Sequence, residues 1–167
     1  MTISEAIRAR RSIRKYKPGA PIQDAQIEKL LEAAMMAPSA GNGRPWEFIV
    51  VKDREVLNGI MEVHTHSKML NSASLCIVVC GLPDASPLAK EYFPQDCAAA
   101  TQNILLQALE LGLGTCWCGV YPIPDRVSGL QRLLNVSSIP FCLVAVGIPD
   151  DNPDPRGFYD PAKVKQI

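Results

Sequence analysis

A layered α+β or α/β domain is the expectation for these 167 residues, and three observations carry it. Apolar patterns of helical and of strand period interleave along the chain, about five of each, with no internal repeat. The length suits one domain of ordinary size, so residues 1–167 should form a single unit. Hydrophobic residues make up 47% and charged residues 20%, enough to build a core without disulfide or metal staples.

The elements follow in order. Residues 2–11 form a helix: Thr2 and Glu5 make a capping box, and Ile3, Ala6 and Ile7 have the spacing of one buried face. Extending that stripe lands on Arg10 and Arg11, so either the helix ends and they escape to water, or an anion meets them. Residues 12–16 alternate like a strand until Pro18 and Gly19. A second helix covers about residues 24–37, with Ile27, Leu30, Leu31, Ala34 and Met35 on one face and Pro38 as its stop. Residues 38–45 carry turn signals throughout. Residues 46–52 form a strand, and Asp53 caps a third helix bearing Leu57, Ile60, Met61 and His64. Residues 75–81 are a continuous apolar strand, buried on both faces.

Three prolines make residues 82–95 a loop, and Asp96 opens the longest helix, to about Leu111. That helix is apolar on most sides, which points to a core or to an interface with a second copy. Gly112 and Gly114 end it. A short strand at 115–119, a helix opening at Pro124 and a strand at 141–147 complete the pattern, leaving a tail rich in Pro and Asp.

Seventeen basic and seventeen acidic side chains cancel, which argues against nucleic acid or a membrane surface as partner. No apolar run approaches the roughly 18–20 residues needed to cross a bilayer. The opening MTISEAIRARRS lacks the apolar stretch of a secretion signal, so a cytoplasmic protein is expected. Charge is nevertheless local: Arg8, Arg10, Arg11, Arg14, Lys15 and Lys17 crowd the first seventeen residues against Glu5 alone. Such a cluster in a neutral chain suits one small anion.

Nucleophilic machinery is hard to assemble. There is no GxSxG, and His64 and His66 are the only histidines, both expected near the surface. Neither a GxGxxG turn nor a P-loop is present. The six cysteines form no CxxC pair and read as small buried hydrophobes with no metal. Cys116 and Cys118 would share a strand face, which leaves a thiol or metal protein as one alternative. Phosphate recognition fits better. Arg10, Arg11 and Arg14 surround Ser12, alternation puts Ser12 and Arg14 on one side, and guanidinium forks bind phosphate strongly and directionally.

Four segments together resemble the FMN-dependent nitroreductase family. They are Arg10-Arg11-Ser12-Ile13-Arg14, the run Pro38-Ser39-Ala40-Gly41-Asn42-Gly43-Arg44-Pro45-Trp46-Glu47-Phe48, then Gly112-Leu113-Gly114-Thr115-Cys116-Trp117, and Val146-Gly147-Ile148-Pro149 before a tail containing Arg156. The resemblance spans essentially the whole chain. It implies a three-layer α+β fold with a mixed, mostly antiparallel central sheet flanked by helices. It also implies a homodimer with FMN at the subunit interface, NADH or NADPH as electron donor, and a small electron-poor aromatic acceptor such as a nitroaromatic or quinone. By position, Arg10, Ser12 and Arg14 would contact the phosphate, ribityl chain and pyrimidine edge of FMN, with Arg11 beside them. Pro38, Ser39, Ala40 and Asn42 would come from the other subunit. Gly119 and Val120 would border the flavin ring, Arg156 would pair with the phosphate, and Lys68 would lie at the ring or ribityl edge.

The chemistry would then belong to the cofactor, and no general base is named. Two features depart from larger relatives: only residues 82–95 separate the third strand from the long helix, leaving little lid, and the tail is short. A flavin carrier or sensor without turnover is the alternative within the same resemblance.

Overall fold

The computed structural model describes residues 1–167. Its centre is a four-stranded sheet of β1 (Trp46–Val51), β2 (Leu75–Gly81), β3 (Gly114–Gly119) and β4 (Ile139–Gly147), in the order β1-β2-β4-β3. All three strand pairings are antiparallel. The one parallel contact is a bridge from Ser12 to Thr115, so the sheet is mixed only at that point.

Helices cover both faces. They are α1 (Ile3–Ala9), α2 (Asp24–Met35), α3 (Arg54–Val63), α4 (Ala89–Glu110) and α5 (Pro124–Leu134). Strand alternation sorts the central residues. Leu75, Ile77 and Val79 of β2 and Val144 and Val146 of β4 face the core under α2 and α4. Cys76, Val78 and Cys80 with Leu143 and Ala145 face the core under α3 and α5. Every residue of β2 is buried, as its unbroken apolar run requires of a strand covered on both sides. The result is three layers, as expected.

Three local readings need correction. Residues 12–16 do not form a fifth strand: they touch the sheet through isolated bridges, Ser12 to Thr115 and Tyr16 to Pro149. The long helix begins at Ala89, not Asp96, and carries Pro94 inside it. Pro94 removes only the bond to Lys90, an exposed residue whose carbonyl can turn to water. Finally, α1 has the expected capping box, with Thr2 N–H donating to Glu5 Oε2 at 2.7 Å. Yet it buries nothing within this chain. Ile3 is 78% exposed and Ile7 58%, because α1 lies only loosely beside α2 and α4, with a cavity of about 310 Å³ between Ile3 and Ala6 and the residues Ala33, Met36 and Leu106.

Candidate functional site

The N-terminal strip is held by two buried hooks. A Cβ on Gly114 would meet Ile13 Cγ2 at 2.9 Å, and one on Gly147 would meet Tyr16 Cδ1 at 2.6 Å. Only glycine leaves room for those side chains at these points. Ile13 N–H donates to the Thr115 carbonyl at 2.8 Å, and Tyr16 Oη donates to Ile13 O at 2.7 Å. Burial pushes the Tyr16 phenol well above its ordinary range. With Ile13 and Tyr16 turned inward, Arg10, Arg11 and Ser12 are left half-buried and Arg14 exposed. Because α1 ends at Ala9 and Arg10 leaves the helical region (ψ 126°), both arginines lie beyond the helix.

Arg10, Arg11 and Arg14 have no carboxylate partner. The one ion pair in the chain is Lys52 with Asp24 at 2.6 Å, far away on the sequence and exposed. Arg10 and Arg11 line a narrow groove of about 140 Å³ with Gly112, Gly114 and Thr115. Arg14 lines a larger groove of about 440 Å³ together with His64, Cys116, Trp117, Cys118 and Gly119. Met69, His66 and Arg126 complete its wall.

His64 corrects the sequence reading. It is 2% exposed, and its Nε2 lies 2.8 Å from the Gly119 carbonyl. A carbonyl only accepts, so Nε2 carries a proton toward it, while Nδ1 has no partner. The signal was present: His64 continues the stripe of Leu57 and Ile60, both fully buried. His66 is exposed, as expected. Gly119 O also accepts from Arg126 Nη1 at 3.1 Å, a residue that no motif singled out. Val120 is fully buried, and its N–H donates to the Phe141 carbonyl at 3.0 Å.

Pro38, Ser39 and Ala40 line a separate groove of about 320 Å³ with Tyr92, Gln95 and Asp96. The loop is a strained turn, with Gly41 (φ 56°), Asn42 (φ 54°) and Arg44 (φ 47°) in the left-handed region. Its pins are polar. Ala40 N–H donates to Asp96 Oδ1 at 3.1 Å, Arg44 N–H to Ser39 Oγ at 3.0 Å, and Arg44 Nε to Asn42 Oδ1 at 3.2 Å. Asp96, 6% exposed, also keeps an unpartnered Oδ2. The sequence suggests Asp96 only as a helix start; a carboxylate directly beside the apolar run Cys97–Ala100 was the overlooked clue. Within one chain this loop does not share the Arg14 groove. Lys68 and Arg156 are exposed and line neither groove.

All six cysteines are free and buried. Cys76 and Cys97 are pushed up to about 12 and Cys80 to about 11, chiefly by desolvation. Cys116 goes the other way: a hydrogen bond from Cys118 outweighs desolvation, and the Arg14 and Arg10 guanidinium groups help hold it below the usual thiol range. Cys118 is correspondingly raised. No three His, Cys, Asp or Glu side chains converge closely enough to hold a metal ion. No helix is long and apolar enough to cross a membrane.

A family model described as Nitroreductase family matches residues 7–64 and 60–148. A protein of Methanothermobacter thermautotrophicus, provisionally named NADH dehydrogenase/NAD(P)H nitroreductase, is 45% identical over 166 residues, covering 98% of this chain and 86% of its own. Among solved structures, a similarly named protein of Parabacteroides distasonis superposes with a TM-score of 0.92 at 38% identity, over 98% of this chain and 96% of the other. An FMN-dependent nitroreductase of Clostridium difficile does so with 0.88 at 30%, over 98% of each chain.

Proposed function

The chain belongs to the nitroreductase family, and from that premise we propose that it is a flavin oxidoreductase passing electrons from NAD(P)H through bound FMN to an electron-poor acceptor. The observation that carries the reading is the set of three guanidinium groups, Arg10, Arg11 and Arg14, with no carboxylate in ion-pair contact, Asp151 being the one acidic residue that lines the groove of Arg10 and Arg11. Clustered cations repel one another unless an anion joins them, and a phosphate is the anion that forked donors fit best. The residues present therefore fit FMN: cations for its phosphate, and beside them a groove walled by Trp117 and the Gly119 backbone.

FMN, when bound, supplies a carrier that accepts a hydride equivalent and releases electrons to an acceptor. The chain's own residues bind and orient. Arg10, Ser12 and Arg156 hold the phosphate and ribityl chain, with Arg11 alongside and Lys68 at the ribityl or ring edge. Arg14 faces the pyrimidine edge, where its fixed positive charge favours the anionic reduced ring over the neutral oxidised one. Gly119 brings backbone up to the ring, and Val120, buried with its N–H on the Phe141 carbonyl, anchors that segment from beneath. His64 fixes the Gly119 carbonyl from behind, and no side chain is assigned as a general base.

The site is completed by a second copy. The exposed Ile3 and Ile7 of α1, with Met36 at 76% exposure, make an apolar face that a homodimer would cover. Pro38, Ser39, Ala40 and Asn42 of one copy would then reach the flavin of the other, which accounts for their separation from Arg14 within a chain. Residues 1–167 act as one domain, and six unpaired thiols suit a reducing cytoplasm. The acceptor is a small electron-poor aromatic such as a quinone or nitroaromatic. Purified protein should be yellow and bleach anaerobically on adding NADH or NADPH. A colourless protein that ignores added FMN overturns the assignment.

A further inference from the structure

A second cation shares the groove of Arg14, at the end of the edge strand β3. Arg126, half-buried on α5, donates from Nη1 to the Gly119 carbonyl at 3.1 Å, and His64 Nε2 lies 2.8 Å from the same oxygen. The Ile13 N–H bond to the Thr115 carbonyl marks the odd-numbered residues of β3 as turned away from β4. Gly119 therefore aims its backbone at the open side, and a Cβ added there would meet nothing within 4 Å. A carbonyl oxygen has two lone pairs, and His64 and Arg126 occupy both. Gly119 is left with no acceptor to offer a ligand.

Arg126 is poorly placed for stability alone. It lies in the first turn of α5, where the free N–H groups carry partial positive charge and a cation is disfavoured. It forms no ion pair, and of the five donors of a guanidinium only Nη1–H has a partner in the chain. Arg14 lines the same groove, equally without an ion pair, and no Asp or Glu stands in its wall. The groove of Arg10 and Arg11, by contrast, includes Asp151. Two fixed positive charges thus face one space of about 440 Å³ with nothing of opposite sign around it.

We infer that Arg126 sets the potential of the flavin: together with Arg14 it makes the groove bind reduced FMN more tightly than oxidised FMN. The inference rests on the flavin reading and adds to it a residue and a direction. Hydride transfer from NAD(P)H, which leaves as NAD(P)⁺, delivers two electrons and one proton, so the ring gains one negative charge. A fixed cation beside the ring attracts that product and is nearly indifferent to the neutral oxidised form. Tighter binding of the reduced form raises the reduction potential by linkage. A carbonyl oxygen left free at Gly119 would oppose the effect, and the two donors that engage it remove that opposition. A guanidinium keeps its charge at any working pH, so the preference does not titrate with Arg126. The flavin then takes electrons readily from NAD(P)H and yields them to acceptors of still higher potential.

The test is a potential, not a rate. FMN-loaded wild type, Arg126→Gln and Arg126→Lys are titrated anaerobically against reference dyes, and the Kd of oxidised FMN is measured for each apoprotein. Glutamine can still donate to the Gly119 carbonyl but carries no charge; lysine keeps the charge. Arg126→Gln should raise the ratio of reduced to oxidised Kd about tenfold, which for a two-electron couple lowers the midpoint by about 30 mV. Its oxidised Kd should change little, and Arg126→Lys should stay near the wild type. Equal midpoints in wild type and Arg126→Gln overturn the inference. So does an equal fall in the Gln and Lys variants, which would make the geometry at Gly119 the cause instead of the charge. So, too, does an unchanged midpoint with a raised KM for a carboxylate-bearing quinone, which would assign Arg126 to the acceptor. Wild type alone gives a further check that needs no variant to fold: its bound flavin should have a higher midpoint than free FMN in the same buffer, and a lower one overturns the inference. Wild type that binds no FMN sinks the flavin reading and this inference together, whereas FMN bound with an unmoved potential sinks the inference alone.

Discussion

Replacing Arg14 by Ala separates binding from folding. Arg14 is exposed and in no ion pair, so its removal leaves no buried charge uncompensated. Its neighbours Ile13 and Tyr16, which are buried, hold the strip in place without it. Exposed substitutions of this kind usually change stability by about 0.5 kcal/mol or less. Binding should respond differently. A hydrogen bond to a charged group contributes about 1.5–3 kcal/mol, and a guanidinium fork can make two. A loss of about 2–4 kcal/mol follows, or a rise in the FMN Kd of about 30- to 700-fold. Quenching of FMN fluorescence on titration into apoprotein measures Kd, and thermal melting of the same apoprotein checks the fold. Arg14→Lys should recover part of the affinity, since it keeps the charge and loses the fork. An unchanged Kd with an unchanged melting temperature would show that Arg14 does not touch the flavin. A parallel fall in both would show that it acts through the fold.

Other consequences are as direct. Asp96→Ala removes the acceptor of the Ala40 N–H, and leaving that donor unmet should cost about 1–3 kcal/mol of stability by urea denaturation; Asp96→Asn, which keeps an acceptor, should cost less, and equal losses would refute the anchoring role. Ile7→Asp places a charge on the uncovered face of α1, so sedimentation velocity should find monomer with flavin lost, and a flavin-replete dimer would exclude that face from the interface. Cys76, Cys80 and Cys97 have folded values of about 12, 11 and 12, above the roughly 8.5 of a free thiol. Being raised, they contribute stability that is whole below about pH 8.5 and lost as pH climbs through the folded values; urea midpoints should hold to about that pH and then decline, and a flat profile to pH 11 would contradict the burial.

What could be read in the sequence was what short-range chemistry decides. The Thr2 and Glu5 cap, the Pro124 helix start and the strand at 75–81 each depend on neighbours within a few residues, and each formed as expected. The three layers followed from helix-period and strand-period segments in alternation. The errors share a cause: a partner distant in sequence decided the outcome. Residues 12–16 alternate like a strand, but ladder pairing needs a free edge in register, and only Ser12 and Tyr16 find one. Pro94 signals a break locally, yet Phe93 and Cys97 on either side are buried against the sheet and carry the helix through. His64 looked solvated until the Gly119 carbonyl, fifty-five residues on, received its Nε2–H. The Ile3 and Ile7 stripe is apolar as its spacing predicts, but α2 and α4 only border it across a cavity and leave both isoleucines exposed, which no pattern within the segment could foretell.

Ile13 and Tyr16 explain how a neutral protein gathers unpaired cations at one corner. Across Ser12, Ile13 and Arg14 the side chains alternate, so burying Ile13 against Gly114 sets Ser12 and Arg14 outward together, before the strip turns to bury Tyr16 against Gly147. A slip of one residue would turn Arg14 toward Gly114, where no acceptor waits, so the apolar hook enforces the register of the charges. The same arrangement leaves an excess of positive charge at that corner, with Asp151 the one acidic residue lining the groove of Arg10 and Arg11 and none in ion-pair contact. A phosphate-bearing ligand relieves it in the folded state only, since the unfolded chain does not hold these groups together. Ligand binding and stability are thereby linked: at a ligand concentration of a hundred times Kd the fold gains about 2.7 kcal/mol. FMN should therefore raise the melting temperature of the apoprotein, and riboflavin, which has the ring and ribityl chain but no phosphate, should raise it far less. Equal shifts from the two would mean that the ring alone is held and that the arginine corner has some other occupant.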